Sequence, residues 1–118
     1  LADRIVALCE KGGALRIEKA RDAADRAKLW TARKKAVGAL GRLAPSHATQ
    51  DGVAPRTKLP QILREVRAVA EKHHLRIANV FHAGDGNLHP VVLFDERDPD
   101  EVARVLAAGG DILRACVA

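Results

Sequence analysis

The dipeptide Asp85-Gly86 stands between two runs of β-formers, Ile77-Ala78-Asn79-Val80-Phe81 before it and Pro90-Val91-Val92-Leu93-Phe94 after it. No other feature limits the fold as much. Asp-Gly supplies the two positive-φ positions of a type I′ turn, whose twist matches that of an antiparallel strand pair, so the segment reads as strand, tight turn, strand. With Asp85 and Gly86 as the two central residues, Gly84 pairs with Asn87, Ala83 with Leu88 and His82 with His89. One face of the hairpin then carries both histidines with Ala78, Val80, Val91 and Leu93, and the other carries Ile77, Phe81, Val92 and Phe94. Both faces are apolar, which calls for helices on one side and another domain on the other.

The remaining pattern supplies the helices. Leu1, Ile5, Leu8 and Cys9 share a helical face that ends at Gly12-Gly13. Leu15-Arg16-Ile17-Glu18-Lys19 alternates and reads as a short half-buried strand. A long helix spans about Asp22 to Leu43, with Leu29, Arg33, Val37 and Leu40 at helical spacing, and Pro45 ends it. Residues Ala48 to Val53 read as an extended segment broken at Asp51-Gly52. Pro60 opens a helix with the apolar face Ile62, Leu63, Val66, Val69 and Ala70, and His73-His74 in its last turn read as solvated partners of the helix dipole. Asp98-Pro99-Asp100-Glu101 is a helix start, followed by an apolar stripe of Val102, Val105, Leu106, Ile112 and Leu113. The order α-β-α-β-α-β-β-α predicts an α+β fold, a mainly antiparallel sheet with helices packed on one face, ferredoxin-like in type.

At 118 residues, 47% hydrophobic and 30% charged, the chain is long enough for one domain with a sizeable core. No apolar run approaches the ~20 residues of a membrane-spanning helix, so no transmembrane segment is expected, and the start shows no signal-peptide pattern. Cys9 and Cys116 lie far apart without metal-site spacing and read as reduced core residues of a cytoplasmic protein. The net charge of +5 raises nucleic acid as a partner, but the basic residues are scattered among acids and aromatics make up only 3%, so no nucleic-acid partner is expected. The chain holds no methionine, and its two ends fall inside helical patterns. It reads as a piece of a longer polypeptide.

The chemistry concentrates in His82-Ala83-Gly84-Asp85-Gly86-Asn87-Leu88-His89. Cross-strand partners have Cβ atoms about 5 Å apart, close enough for two imidazoles to converge on one ion at roughly 2.1 Å each. Imidazole suits zinc, iron, nickel or copper, and manganese if carboxylates join. Two ligands leave a site open, and Asp51, Asp85 and Asp95 are all candidates for a third, none fixed by spacing.

Three segments together resemble a known family: Leu29-Trp30-Thr31-Ala32-Arg33-Lys34, then Thr49 to Pro60 (Thr-Gln-Asp-Gly-Val-Ala-Pro-Arg-Thr-Lys-Leu-Pro), then Asn79 to Pro90 with its H-x-G-D-G-N-x-H core. They are similar to the C-terminal domain of FAD-linked oxidases, a family of glycolate oxidase large subunits, D-lactate dehydrogenases and D-2-hydroxyglutarate dehydrogenases. The resemblance covers nearly the whole chain, and residues 1–118 read as part of that substrate and metal domain. It implies that His82 and His89 ligate a divalent metal, zinc or manganese, that Arg33 pairs with the substrate carboxylate, and that Asn87 lies at the substrate. It implies an FAD-dependent oxidation of a small 2-hydroxy acid to the 2-oxo acid, with the chain's own FAD-binding domain and other oxidase subunits as partners. The chemistry agrees, since a guanidinium fork suits a carboxylate and a metal lowers the pKa of a bound hydroxyl. In the family the FAD-binding domain and a downstream G-E-H-G segment, with an acidic third ligand and a base histidine, lie outside the stretch matched here. The 118 residues alone are therefore expected to be catalytically inert.

Other readings of the same residues stay open. Arg33 also fits a solvated helix position, and Asn87 a turn former tolerant of positive φ. The hairpin histidines fit a non-catalytic metal- or anion-binding module, or a metal-dependent hydrolase in which two histidines and an aspartate activate water.

Overall fold

A computed structural model describes residues 1–117, which fall into two compact units, Leu1–Ala36 and Val37 onward. In the first, helix α1 covers Ala2–Lys11 and helix α2 begins at Ala23 and runs to Ala39. Asp22 starts α2 by accepting the Asp25 N–H at 2.8 Å, as an N-cap aspartate does. Between the helices the alternation of Leu15 to Lys19 forms no strand, and Leu15 is fully exposed. Five alternating residues with no neighbouring strand to pair with cannot satisfy their backbone groups as sheet, so periodicity alone misleads here. Ile5, Leu8 and Cys9 are exposed on α1, and Cys9 is not a core residue.

The second unit is an antiparallel sheet backed by two helices. Its strands are β1 (Ser46–Thr49), β2 (Gly52–Val53), β3 (Arg76–His82) and β4 (Asn87–Phe94), and its helices are α3 (Leu59–Lys72) and α4 (Pro99–Val117). Strand β4 is central, with β3 along one edge and β1 and β2 sharing the other. Thr49 pairs with Val91 and Gly52 with Leu88, so β1 and β2 are one edge strand in continuous register. Its interruption has a local cause. Gln50 donates its N–H to the Pro90 carbonyl at 2.9 Å, but Pro90 has no N–H to return. The sequence β-α-β-β-α with the second hairpin strand in the middle is the arrangement of a ferredoxin-like unit, and the α+β expectation holds.

The core lies between the sheet and the two helices. Leu88 and Val92 from β4 meet Leu59, Ile62 and Val66 of α3 and Val105, Ala108 and Ile112 of α4. Each buried Val, Leu or Ile side chain contributes about 1.5–3 kcal/mol of hydrophobic free energy, so the seven of that kind carry much of the unit's stability, with Ala108 allowing close approach. On α4 the buried stripe differs from the sequence reading, because Leu106 and Leu113 face outward and Ala108 and Gly109 face inward. The sequence pattern counts hydrophobic side chains, whereas close approach favours small ones: a Cβ on Gly109 would lie 2.9 Å from the Gln50 amide nitrogen.

Helix termini follow their residues. Asp98 accepts from the N–H groups of Asp100 and Glu101 at 2.9 and 3.2 Å, confirming it as the cap of α4. Glu101 turns instead to the Asp95 N–H, at 2.6 Å, which ties the end of β4 to the start of α4. At the end of α3, Leu75 donates to the Ala70 carbonyl and His74, at φ 53°, donates to that of Glu71. This is a Schellman motif with histidine at the position glycine prefers. His73 is not a solvated dipole partner: its Nε2 lies 2.7 Å from Asp111 Oδ2 on α4. Lys72 and Arg114 also pair with Asp111, and these three partners, His73 first, hold its carboxyl well below the usual range.

Candidate metal and substrate face

The hairpin that carries both histidines closes with four residues, Ala83 to Gly86, and not with two. His82 pairs with Asn87, Phe81 with Leu88 and Val80 with His89. Asp85 keeps a negative φ and only Gly86 is positive, at 85°, which rules out the type I′ turn expected from Asp-Gly. Asp85 and Gly86 both donate N–H to the His82 carbonyl, at 3.3 and 3.0 Å, and the Asp85 carboxylate accepts the Asn87 N–H at 3.1 Å. Asp85 is therefore a loop-closing residue. Gly86 is held from outside as well, because Ala54 donates its N–H to the Gly86 carbonyl at 3.0 Å. A Cβ on Gly86 would lie 2.0 Å from the Ala54 carbonyl oxygen, so no other residue fits there.

The register shift amounts to two residues, and a two-residue shift leaves every side chain on its original face. His82, Asn87 and His89 consequently share the sheet face opposite α3 and α4, together with Val80 and Val53. The two imidazoles stand edge to face with ring centroids 5.6 Å apart. A metal-bound nitrogen lies about 2.0–2.1 Å from its ion, which puts each ring centre about 3 Å from it, so this separation fits a shared divalent ion. Asn87 is half-buried between its partners His82 and Val53, while His82 is exposed.

Of the three carboxylates the sequence leaves open as a further ligand, only Asp51 reaches the histidines. It stands opposite His89 in the continuous register of the edge strand, and its Oδ1 lies 2.5 Å from His89 Nδ1. Asp85 is engaged with the Asn87 backbone. Asp95 lies at the far end of β4, where the Arg97 guanidinium and N–H hold its carboxyl down to about 2. Among the described residues, no group of three or more His, Cys, Asp or Glu side chains is arranged to hold a metal. Among the described residues the two imidazoles, His82 and His89, are the side chains whose separation would suit a shared ion. Sequence reasoning leaves Asp51 as one of three candidates and does not single out its contact with His89, because β1 and β2 pair with a strand about forty residues downstream and no local pattern encodes that pairing.

Arg56, from the 3-10 turn Arg56–Lys58, reaches the loop tip and donates to the Gly84 carbonyl at 3.4 Å. In the first unit, Arg33 lies exposed on α2, where it lines a shallow depression with Arg26, Leu29 and Trp30. Leu29 and Trp30 precede it by four and three residues, the spacing of neighbours on a helix surface.

Comparison with known proteins gives the site its context. Glycolate oxidase subunit GlcD of Escherichia coli strain K12 is 44% identical over 115 residues, which is 98% of this chain and 23% of the relative. Glycolate oxidase subunit GlcD of Bacillus subtilis strain 168 is 34% identical over 115 residues, 98% of this chain and 24% of the relative. A probable mitochondrial D-lactate dehydrogenase of Danio rerio is 37% identical over 89 residues, 73% of this chain and 18% of the relative. The chain spans about a quarter of the length of the glycolate oxidase subunits it matches. No helix among the described residues is long and apolar enough to cross a membrane. The family model for the C-terminal domain of FAD linked oxidases matches residues 1–118 in full, and the chain belongs to that family.

Proposed function

We propose that this chain forms the substrate-side part of a flavin-dependent oxidoreductase that oxidises a small 2-hydroxy acid of the glycolate or D-lactate class to the 2-oxo acid. The observation that carries this reading is the single sheet face bearing His82, Asn87 and His89 in a chain of the FAD-linked oxidase family. The names of the relatives support the substrate class.

In this reading His82 and His89 hold a divalent ion, zinc or manganese, with their ring nitrogens. When bound, the flavin supplies a hydride acceptor for C2 and the ion supplies Lewis acidity that eases loss of the 2-hydroxyl proton. Arg33 meets the substrate carboxylate with its two-pronged guanidinium, and Asn87 offers both a donor and an acceptor to the substrate oxygens. No residue of this chain is assigned to FAD, which a separate domain of the same polypeptide binds. Other oxidase subunits are proposed partners, and two free cysteines suit a reducing cytoplasm.

The test is anaerobic mixing of the full-length flavoprotein with glycolate or D-lactate while flavin absorbance is followed. The account expects bleaching by one of these acids, and slower bleaching in His82→Ala and His89→Ala at unchanged flavin content. A flavin that neither acid nor a larger 2-hydroxy acid reduces would overturn it in favour of a binding module or a hydrolase.

A further inference from the structure

The geometry points to Asp51 as a positioning residue: it holds His89 in the tautomer whose Nε2 carries the lone pair, and so readies that imidazole for the divalent ion. This inference rests on the metal reading of His82 and His89. Asp51 Oδ1 and His89 Nδ1 are 2.5 Å apart. A carboxylate has no proton to give, so the ring nitrogen donates. A neutral imidazole carries one N–H and one lone pair, and a proton fixed on Nδ1 leaves Nε2 as the ligating atom. A carboxylate behind a metal-bound histidine also raises the basicity of the ligand.

The backbone around Asp51 fixes this contact. Thr49–Val91 pairing on one side and Gly52–Leu88 pairing on the other hold Asp51 directly across from His89. Gln50 adds its bond to the Pro90 carbonyl between them. The Asp51 side chain itself is 78% exposed, and His89 is 27% exposed. Exposed pairs of this kind contribute little to folding stability, so a contact so closely placed by the sheet acts on the orientation of His89 and not on the fold. The other two carboxylates near β4 have their own engagements, Asp85 with the Asn87 N–H and Asp95 with Arg97. Asp51 occupies the Nδ1 side of the His89 ring, so it stands behind the histidine and would leave Nε2 free for the ion.

The test uses the full-length flavoprotein in wild-type form and as Asp51→Ala, Asp51→Asn, His82→Ala and His89→Ala. Zinc affinity is measured by chelator competition, and a copper(II)-loaded sample is examined by electron spin-echo spectroscopy, which senses the remote ring nitrogen of a ligating histidine. Asp51→Ala is expected to weaken zinc binding about 10- to 100-fold and to change the remote-nitrogen signal, at an unchanged thermal midpoint of the metal-free protein. Asp51→Asn, whose amide oxygen still accepts the Nδ1 proton, is expected to fall between wild type and Asp51→Ala. Unchanged affinity and signal in Asp51→Ala, with both histidine variants impaired, would overturn the positioning role alone. Loss in Asp51→Asn as complete as in His89→Ala would make Asp51 a direct ligand and also overturn it. Histidine variants that bind zinc as wild type does would overturn the metal reading itself.

Discussion

The rings of His82 and His89 meet edge to face, 5.6 Å between centroids, although neither residue is the other's cross-strand partner. Asn87 stands across from His82 and Val80 across from His89, so the imidazoles approach along the diagonal of the ladder. Diagonal neighbours are within reach of long side chains, and the right-handed twist of the sheet shortens one diagonal. The loop between them therefore sets how the two rings meet, and its conformation depends on Gly86.

Gly86→Ala is expected to disturb this pair more than any other single methyl on the hairpin. The new Cβ would meet the Ala54 carbonyl oxygen at 2.0 Å and would hold a non-glycine residue at φ 85°. Strain and steric conflict together should cost about 2 to 4 kcal/mol, read as a drop in the urea midpoint, with weaker metal binding at temperatures where the protein stays folded. Gly84→Ala, with nothing near its Cβ position, should be close to neutral in the same measurement.

His74→Gly is expected to stabilise the protein. His74 occupies the left-handed position after α3, with φ 53°, and its side chain is exposed. Relief of the Cβ conflict outweighs the added freedom of glycine in the unfolded chain, for a net gain of about 0.5 to 1 kcal/mol in denaturant unfolding.

The clasp between α3 and α4 predicts an acid dependence. His73, Lys72 and Arg114 depress the Asp111 pKa in the folded state below its ordinary value of 3.8. A depressed carboxylate stabilises the fold above the unfolded pKa, and that contribution is lost as the pH falls below about 4 toward the folded value. The urea midpoint of Asp111→Asn should lie below that of wild type at pH 7, and the gap should narrow steadily below pH 4. A constant gap from pH 7 to pH 2 would detach Asp111 from the acid response.

For Arg33 the expected outcome is kinetic. Lysine keeps the charge and loses the paired N–H donors that match a carboxylate. Removing such a contact costs about 3 kcal/mol, so Arg33→Ala in the full-length flavoprotein should lower kcat/KM by about 10²-fold, with Arg33→Lys in between and flavin content unchanged. Lost flavin in Arg33→Ala would make the residue structural.

How far these features can be read from the chain depends on whether they are local. The Pro60 start of α3, the Asp98 cap of α4, the apolar face with Ile62 and Val66 and the shared face of His82 and His89 all follow from periods and turn residues a few positions apart. The hairpin loop misleads because Asp85 uses its carboxylate on the Asn87 N–H and Ala54, thirty-two residues upstream of Gly86, pins the glycine. The Asp51–His89 contact and the His73–Asp111 clasp each join residues thirty-eight positions apart, and only the assembled sheet and helix pair bring them together. Pro90 in a central strand runs against its usual exclusion from such positions, and the break at Gln50 and Asp51 is where the sheet accommodates it.

The most direct test of the account is the divalent metal content of the full-length protein, measured by elemental analysis beside its flavin content. The account predicts about one zinc or manganese per polypeptide in wild type, and loss of that metal with retained flavin in His82→Ala and in His89→Ala. Full metal content in both variants would contradict it.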